Sequence, residues 1–393
     1  MMSSGLPGLC AVVLVAGAWP AGAVQPQPLD EPVTPTGETA LETGWKMVEV
    51  SRGLMRPWSA AWLPTGEVLV TEREGRLRVI GADGLRPEPV TGVPEVFASG
   101  QGGLLEVVIH PDFNANRLVY LTWSTGSNGA NRTTLGRARL SEDLTSLIDL
   151  KVLFEASPDK PSAQHFGSRL LWLEDGSLLM SIGDGGNPPI KVDGDFIRHK
   201  AQDTSATLGK TVRLTADGQP HPDNPFADGG GDPAVYTLGH RNIQGLTLHP
   251  DTGVVWATEH GARGGDELNT LKAGENYGWP VVTYSREYFG PRITQRTSSP
   301  RFVDPLAVWT PCIAPSGLTV YTGDAFPEWR GDLLAGGLVL KQVRRIKLEG
   351  GAPVAQTTLQ FDQRVRWVGM SPNGGLHVLT DETDGGLYRI EPE

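Results

Sequence analysis

Residues 164–186, QHFGSRLLWLEDGSLLMSIGDGG, contain two apolar runs on either side of a Glu-Asp-Gly turn. Short apolar runs bounded by glycine and separated by a tight turn predict a β-hairpin. If the turn centres on Asp175, antiparallel pairing places Leu173 opposite Ser177. This hairpin is the unit from which the fold is predicted, because the same pattern returns along the chain.

The register also predicts which side chains meet at the open end of the hairpin. Counting outward, His165 faces Gly185 and its neighbour Phe166 faces Asp184, so a histidine and a carboxylate come to one place. A carboxylate beside an imidazole fixes its tautomer and raises its basicity, which suits a general base. A surface hydrogen bond between the two is the structural alternative.

Six copies of the hairpin pattern predict a propeller. Each has an apolar strand, a turn rich in Pro, Glu, Asp and Gly, and a second apolar strand. The copies occupy residues 60–70, 106–121, 170–180, 246–257, 316–338 and 368–379. We therefore expect an all-β fold, a six-bladed β-propeller with four-stranded antiparallel blades. A β-sandwich is the alternative, and insertions between blades are expected at residues 187–240 and 262–300.

Equivalent positions in the blades of a propeller lie at the same end of its central channel. Polar residues recur six to ten positions before the turn of several copies, as His165 does. They are Gln101, Arg241, Asn242, Arg364 and Arg366. We expect these side chains to converge with His165 at one end of the channel. In the fourth copy, a turn at residues 251–252 places Asn242 opposite Gly261.

Two features of this set indicate charged ligands. Arg364 and Arg366 alternate along a strand, so both point to one face, and paired guanidiniums suit carboxylates or phosphates. Salt bridges to acids of the protein are the alternative. The Gly-rich segment 259–269, EHGARGGDELN, offers the oxygen ligands that Ca²⁺ prefers, although an ordinary acidic loop is equally compatible with it.

The composition narrows the class of protein. The chain has 393 residues, of which 50 are Gly and 31 are Pro, and this favours short strands joined by tight turns. A formal net charge of -11 argues against nucleic acid as a partner. No Gly-x-Gly-x-x-Gly motif follows a strand and opens a helix, which disfavours a nicotinamide cofactor.

The amino terminus predicts export. Residues 9–19 are apolar and Ala21-Gly22-Ala23 resembles a cleavage site, so residues 1–23 are predicted to be a signal peptide, although no basic residue precedes the apolar run. An uncleaved anchor is the alternative. Residues 24–43 are predicted to be a flexible leader and residues 44–393 the propeller domain. We expect a periplasmic protein whose mature chain does not insert into the membrane.

Five motifs together carry a resemblance to a known family. They are GQGGLL at 100–105, HFGSRL at 165–170, GHRNIQGL at 239–246, the segment 259–269, and RVR at 364–366. By their order and spacing, the chain resembles the soluble pyrroloquinoline quinone (PQQ)-dependent sugar dehydrogenases, the glucose/sorbosone dehydrogenase family, over residues 45–391. The aldose sugar dehydrogenase branch is the most similar.

The resemblance implies an oxidoreductase that oxidises the C1 hydroxyl of aldose sugars to lactones by hydride transfer to PQQ. The catalytic residues it implies are His165 as general base, Asp184 and Arg241. The cofactor contacts it implies are Gln101, Arg241, Asn242, Tyr288, Lys341, Arg364 and Arg366. The Ca²⁺ ligands it implies are the carbonyls of Gly261 and Ala262 at the cofactor, and Glu267 with the region of Tyr277 at a second site.

Two positions depart from the family pattern. Gln164 stands where some glucose-oxidising relatives carry Asp, which leaves the sugar contacts open, and Ala262 replaces a frequent Pro whose carbonyl it retains. The resemblance also implies an external electron acceptor, and we expect a monomer or a homodimer.

Two other functions are compatible with a six-bladed propeller. A calcium-dependent lactonase or esterase would share the fold and the metal, but would place carboxylates and Asn in the channel. A secreted binding propeller without catalysis would leave His165 and the arginine pair without a shared ligand.

Overall fold

The chain folds as the all-β propeller that the hairpin repeats predict, in a computed structural model that describes residues 33–393. Six antiparallel sheets form the blades. Blade 1 consists of Pro57–Trp62, Val68–Glu72, Arg76–Gly81 and Gly84–Leu85. Blade 2 consists of Leu104–Ile109, Leu118–Gly126, Asn131–Leu140 and Leu147–Glu155. Blade 3 consists of Leu170–Trp172, Leu178–Ile182, Lys210–Leu214 and Val235–Leu238.

The other three blades complete the ring. Blade 4 consists of Ile243–Leu248, Val255–Glu259, Asp266–Leu271 and Ala307–Trp309. Blade 5 consists of Pro315–Val320, Leu333–Gly337, Gln342–Glu349 and Ala352–Gln360. Blade 6 consists of Val365–Met370, Leu376–Thr380, Gly385–Pro392 and Trp45–Leu54. The first strand of each blade contacts the first strands of its neighbours, so these inner strands surround the central channel.

Short elements lie outside the blades. They are the helical turns Phe113–Asn116, Ile197–Gln202 and Pro327–Trp329, and a small hairpin of Lys191–Val192 with Asp195–Phe196. In the described range, residues 33–393, no helix has the length and apolar character that crossing a bilayer requires.

The hydrophobic core lies between neighbouring blades. Leu69 and Leu77 of blade 1, for example, pack in one cluster with Val107 and Leu121 of blade 2. Because each sheet is covered on both faces, the middle strands are buried along their whole length, as Val68–Glu72 is. This explains why the apolar runs in the sequence are continuous and do not alternate with polar residues.

The predicted register of the blade-3 hairpin is confirmed. Leu170 pairs with Met180, and the Leu173 N–H donates to Ser177 O at 2.9 Å. In blade 4 the prediction is off by one residue. A register shift between Ile243 and Gly245 makes Asn242 pair with His260 rather than with Gly261, because a β-bulge adds an unpaired residue to one strand.

The long insertions lie within blades, which corrects the expectation that they lie between them. Residues 187–240 contain the two outer strands of blade 3, and residues 262–300 contain the third strand of blade 4. These strands follow no Pro/Glu-x-Gly turn, so the hairpin pattern does not detect them. The segment from residue 272 to residue 306, between the third and fourth strands of blade 4, is the blade-4 insertion.

The amino-terminal segment closes the ring. Trp45–Leu54 pairs antiparallel with Gly385–Pro392 as the outer strand of blade 6. Ala40–Leu41 pairs in parallel with the outer strand of blade 5, and Thr36 bridges to Trp309 of blade 4. The flexible leader predicted for residues 24–43 is therefore corrected for residues 33–43, whose backbone is hydrogen-bonded. The predicted signal peptide lies outside the described residues.

One buried side chain in the channel touches every blade. Arg169, which precedes the inner strand of blade 3, is 3% exposed. Its guanidinium lies 4.0 Å from the Trp58 ring, 3.0 Å from Glu106, 2.6 Å from Gln244 O, 3.5 Å from Ser316 Oγ and 3.1 Å from Arg366 O. Trp58, Gln244 and Arg366 also line the cavity at the end of the channel, so Arg169 supports that cavity from below.

Replacing Arg169 should therefore destabilise the whole ring. We expect Arg169→Ala to lower the free energy of unfolding by about 3–5 kcal/mol, because Glu106 would remain buried without its counter-charge. Urea unfolding followed by tryptophan fluorescence measures the change. Arg139→Ala is the matched control, since it breaks an exposed ion pair with Asp149 and should cost less than about 1 kcal/mol. Equal losses in the two variants would contradict the role of Arg169.

Candidate active site

Two adjoining cavities open where the polar residues converge. The first, about 440 Å³, is lined by Gln101, Asn242, Arg364 and Arg366 among others, as their shared blade position predicts. The second, about 790 Å³, shares His260 with the first and reaches the blade-4 insertion. We call them the inner and the outer cavity.

The open end of the blade-3 hairpin brings His165 and Asp184 into contact. His165 Nδ1 and Asp184 Oδ1 are 2.6 Å apart, and both side chains are buried. Asp184 also accepts hydrogen bonds from Gly186 N at 3.0 Å and from the Trp279 indole N–H at 2.8 Å. The carboxylate is thus held in one orientation, and Nε2 is the ring nitrogen of His165 that can accept a proton.

The surroundings of His165 favour its neutral form. Burial lowers the pKa of His165, Arg241 lowers it further, and Asp184 acts against both. Lys160 is buried behind this pair, and its ammonium donates to Asn131 Oδ1 at 2.9 Å. Burial lowers the pKa of Lys160 to about 7. A neutral imidazole held by a carboxylate is prepared to act as a base.

Amide side chains fix the backbone that carries His165. This residue has a φ of 49°, in the left-handed region that non-glycine residues seldom adopt. Gln101 Oε1 accepts from His165 N at 2.8 Å, and Asn242 Oδ1 accepts from Gly167 N at 3.0 Å. Gln244 Nε2 donates to Gly167 O at 2.8 Å. Neighbouring blades thus hold the strained turn from both sides.

The Arg241 guanidinium contacts the Gly-rich segment 259–269 and Asn187. Its Nη1 donates to His260 O at 2.9 Å and to Gly261 O at 2.7 Å, and its Nη2 donates to Asn187 Oδ1 at 2.8 Å. The Asn187 amide in turn donates to Gln164 Oε1 at 3.2 Å. Gln164, the position that departs from the family pattern, therefore contributes to the network around Arg241.

The arginine pair is joined by a carboxylate of the protein, as the salt-bridge alternative predicts. Asp381 Oδ2 accepts from Arg366 at 2.7 Å and from Arg364 at 3.3 Å. Burial acts to raise the pKa of Asp381, but the two arginines outweigh it and the pKa is lowered. Arg56 and Arg73 also line the inner cavity. Its lining carries four arginines and two carboxylates, in a chain whose net charge is negative.

The carbonyls of Gly261 and Ala262 belong to a tightly held turn at the outer cavity. Gly261 N donates to Asp266 Oδ1 at 2.8 Å, and Ala262 N donates to Ser285 Oγ at 3.1 Å. Within residues 33–393, no three His, Cys, Asp or Glu side chains come together as a metal-binding group. A cation at this turn would therefore rely on backbone oxygens.

Glu267 and Tyr277 line a separate, very small cavity of about 10 Å³, which is about the space that one water molecule needs. Burial and the nearby Glu259 raise the pKa of Glu267 well above its usual value. The Tyr277 hydroxyl donates to Thr270 O at 2.5 Å. Glu259, which is buried, and Glu267, which is partly buried, form beside this cavity an environment that a cation would stabilise.

Three predicted cofactor contacts, Arg241, Lys341 and Tyr288, do not line the inner cavity. Lys341 is exposed at the turn between the second and third strands of blade 5, and it is absent from the described lining of both cavities. Tyr288 is 58% exposed and lines the outer cavity. Lys341 and Tyr288 do not precede a hairpin turn at the offset that His165 has. Arg241 has this offset, but its guanidinium is engaged by His260 O and Gly261 O.

Comparison with known proteins shows to which family the chain belongs. The family pattern described as Glucose / Sorbosone dehydrogenase matches residues 54–389. The chain belongs to this family. It is 37% identical over 346 residues to the aldose sugar dehydrogenase YliI of Escherichia coli strain K12, which covers 86% of this chain and 91% of that protein.

Solved structures of the family superimpose closely on this chain. A crystal structure of a glucose dehydrogenase has a TM-score of 0.82 at 42% identity, covering 88% of this chain and 99% of the other. The PQQ-bound form of the aldose sugar dehydrogenase from Streptomyces coelicolor has a TM-score of 0.73 at 30% identity, covering 90% and 100%.

Some site residues escaped the sequence prediction. Arg73 and Asp381 directly follow the second strands of blades 1 and 6, as Asp184 closely follows the second strand of blade 3. Counting outward from the turn along the second strand of each hairpin, as well as along the first, would have predicted Arg73 and Asp381. Trp279 lies in the blade-4 insertion, which has no repeat register, so no sequence signal placed it beside Asp184.

The electrostatics of the pair predict a measurable pKa change. We expect His165 to titrate below the usual value near 6.5, and still lower in Asp184→Asn, because removing the carboxylate removes the interaction that favours the imidazolium. NMR titration of ring-labelled histidine measures both. A higher pKa of His165 in Asp184→Asn than in the wild type would contradict the assigned pairing.

Proposed function

We propose that this protein is a PQQ- and Ca²⁺-dependent dehydrogenase that oxidises the C1 hydroxyl of aldose sugars to lactones. The observation that carries the proposal is the buried His165–Asp184 pair beside a cavity lined by four arginines. The relatives named as sugar dehydrogenases support the substrate class, and the PQQ-bound neighbour supports the cofactor.

The inner cavity suits a flat, polyanionic cofactor. PQQ has three carboxylates and an ortho-quinone, which match guanidinium donors. Nε of Arg366, which lines this cavity, is buried and has no hydrogen-bond partner among the described residues, and an oxygen-rich ligand would satisfy such a donor. Trp58 and Phe166 form apolar wall against which a fused ring system can pack. Arg364 and Arg366 would hold carboxylates, and Gln101 and Asn242, which also line this cavity, would contact the cofactor.

The outer cavity suits a Ca²⁺ ion held by backbone oxygens. The carbonyls of Gly261 and Ala262 are of the ligand type that Ca²⁺ prefers, and both residues line this cavity. Arg241 donates to Gly261 O, so a cation bound there would compete with this guanidinium for the oxygen. Glu267 and the region of Tyr277 would hold a second Ca²⁺, since a divalent ion would neutralise the buried acids.

The chemistry follows from the free nitrogen of His165. Bound PQQ supplies the acceptor for the hydride that leaves C1 of the sugar. The proton of the C1 hydroxyl passes to His165 Nε2, because Nδ1 is engaged by Asp184. Asp184 stabilises the imidazolium that forms, and Trp279 and Gly186 keep the carboxylate aligned. Burial, and after it Arg241 and Lys160, lower the pKa of His165, which favours the neutral imidazole that can accept the proton.

Reconstitution with single-site variants tests the proposal. Apo-protein with PQQ and Ca²⁺ should reduce an uncharged benzoquinone when an aldose is added. We expect His165→Ala to leave the Kd for PQQ within about threefold but to lower kcat at least a hundredfold, as loss of a general base does. His199→Ala is the control. The proposed function would be contradicted if the wild type reduced no quinone with any aldose and showed no PQQ binding by absorbance.

The second cation site has its own test. Ca²⁺ at a hundredfold excess over its Kd should stabilise the wild type by about 2.7 kcal/mol, measured as a rise in Tm. Glu267→Gln should lose most of this rise because it removes one ligand charge. Glu349→Gln, at an exposed acid that pairs with Lys347, should keep it. An undiminished Ca²⁺ response in Glu267→Gln would contradict the site.

A further inference from the structure

Positive charge is concentrated in one part of the blade-4 insertion. Residues 284–301, which we call the basic loop, contain four arginines and a single acid, Glu287. The whole chain has 34 basic and 45 acidic residues, so this segment has the opposite charge balance. The arginines are Arg286, Arg292, Arg296 and Arg301, and all four are exposed.

The acid of the basic loop does not neutralise these guanidiniums. Glu287, the acid of the loop, is buried and pairs with Arg198 at 2.7 Å. Glu287 therefore does not compensate the charge of the four exposed arginines of the loop.

The loop also exposes aromatic side chains. Phe289 is 74% exposed and Tyr288 is 58% exposed. Arginine and aromatic residues are the types enriched in the centres of protein interfaces. Contact with water does not stabilise an exposed Phe side chain, whereas burial of its apolar surface under a partner lowers the free energy.

The basic loop is ordered and lies beside the site. Thr283 N donates to Arg296 O at 3.0 Å, and Glu287 N donates to Pro291 O at 2.8 Å. Arg286 and Tyr288 line the outer cavity, which adjoins the inner cavity at His260. A partner bound to this loop would therefore stand next to the place from which electrons must leave.

We propose that the basic loop is a docking surface for an acidic redox protein that accepts one electron at a time. The inference rests on the proposed function. Each sugar oxidation leaves two electrons and two protons on the enzyme. Two molecules of the acceptor would each take one electron, and the two protons would pass to solvent. Opposite charges would steer the encounter, and the exposed aromatics would be covered in the complex.

Cytochrome c provides a matched pair of probes, because succinylation converts the basic native protein into an acidic one with the same haem. At about 10 mM ionic strength the Debye length is near 30 Å, so steering should be strong. The enzyme with PQQ, Ca²⁺ and an aldose should reduce succinylated cytochrome c faster than native cytochrome c. The difference should disappear at about 1 M salt, where the Debye length is about 3 Å.

The variant Arg292→Gln/Arg296→Gln/Arg301→Gln removes three charges and leaves the cavity-lining Arg286 in place. We expect kcat/KM for succinylated cytochrome c to fall at least about tenfold at low salt, with no change for the uncharged benzoquinone. Arg139→Gln/Arg330→Gln removes two exposed charges elsewhere and should leave both acceptors unaffected. Phe289→Ser should weaken binding of the acidic cytochrome without changing its salt dependence.

Three results would overturn the proposal. They are equal rates with the two cytochromes at low salt, an unchanged rate in the triple variant, and a loss of benzoquinone turnover in the triple variant, which would assign the arginines to the sugar site. Binding of succinylated cytochrome c, measured by surface plasmon resonance without sugar or cofactor, separates this proposal from the proposed function. Salt-sensitive binding that the triple variant loses would support the docking surface even if no sugar were oxidised.

Discussion

The buried guanidinium of Arg169 sets the spacing of the inner strands, because its contacts reach all six blades. A propeller is held mainly by apolar packing between neighbouring blades, which does not act across the channel. Arg169 supplies that cross-channel connection through one ion pair with Glu106 and hydrogen bonds to backbone carbonyls. Since Trp58, Gln244 and Arg366 belong to both this network and the inner cavity, the constraint that closes the channel also shapes the site above it.

The site is built from buried charges that control one another. Burial, Arg241 and Lys160 lower the pKa of His165, whereas Asp184 favours its protonation and orients the ring. Asp381 keeps Arg364 and Arg366 side by side in spite of their repulsion. In the inner cavity Arg364 and Arg366 share one carboxylate, and Arg56 pairs with Glu74. This arrangement leaves guanidinium donors available to an anionic ligand.

Irregular segments contribute as much to the site as the repeats do. The blade-4 insertion brings the Trp279 indole to Asp184 in blade 3, and it brings Ser285 to the turn at Ala262. The same insertion exposes the basic loop at the rim of the outer cavity. The base, the Gly-rich turn and the proposed docking surface are therefore connected through one segment. Such functional loops on a rigid scaffold are a common way of placing binding residues.

The repeating hairpin by itself determined the number of blades, the pairing of Leu170 with Met180 and the meeting of His165 with Asp184. These follow from local rules: the period of a strand, the position of a turn, and the equivalence of repeats. The convergence of Gln101, Asn242, Arg364 and Arg366 follows from the same count. The family motifs added the cofactor and metal roles as expectations, which the comparisons support only at the level of the family.

Only the tertiary structure decided how the ring closes, where the insertions lie, and which partners the charged groups have. Trp45–Leu54 completes blade 6 across the whole length of the chain, Asp381 joins the arginine pair, and Trp279 reaches Asp184. Because of a one-residue bulge, Asn242 pairs with His260 and not with Gly261 as the count predicted. These contacts join residues that are far apart in sequence or lie in segments without a repeat. Their geometry depends on the packing of all six blades at once, which no local pattern encodes.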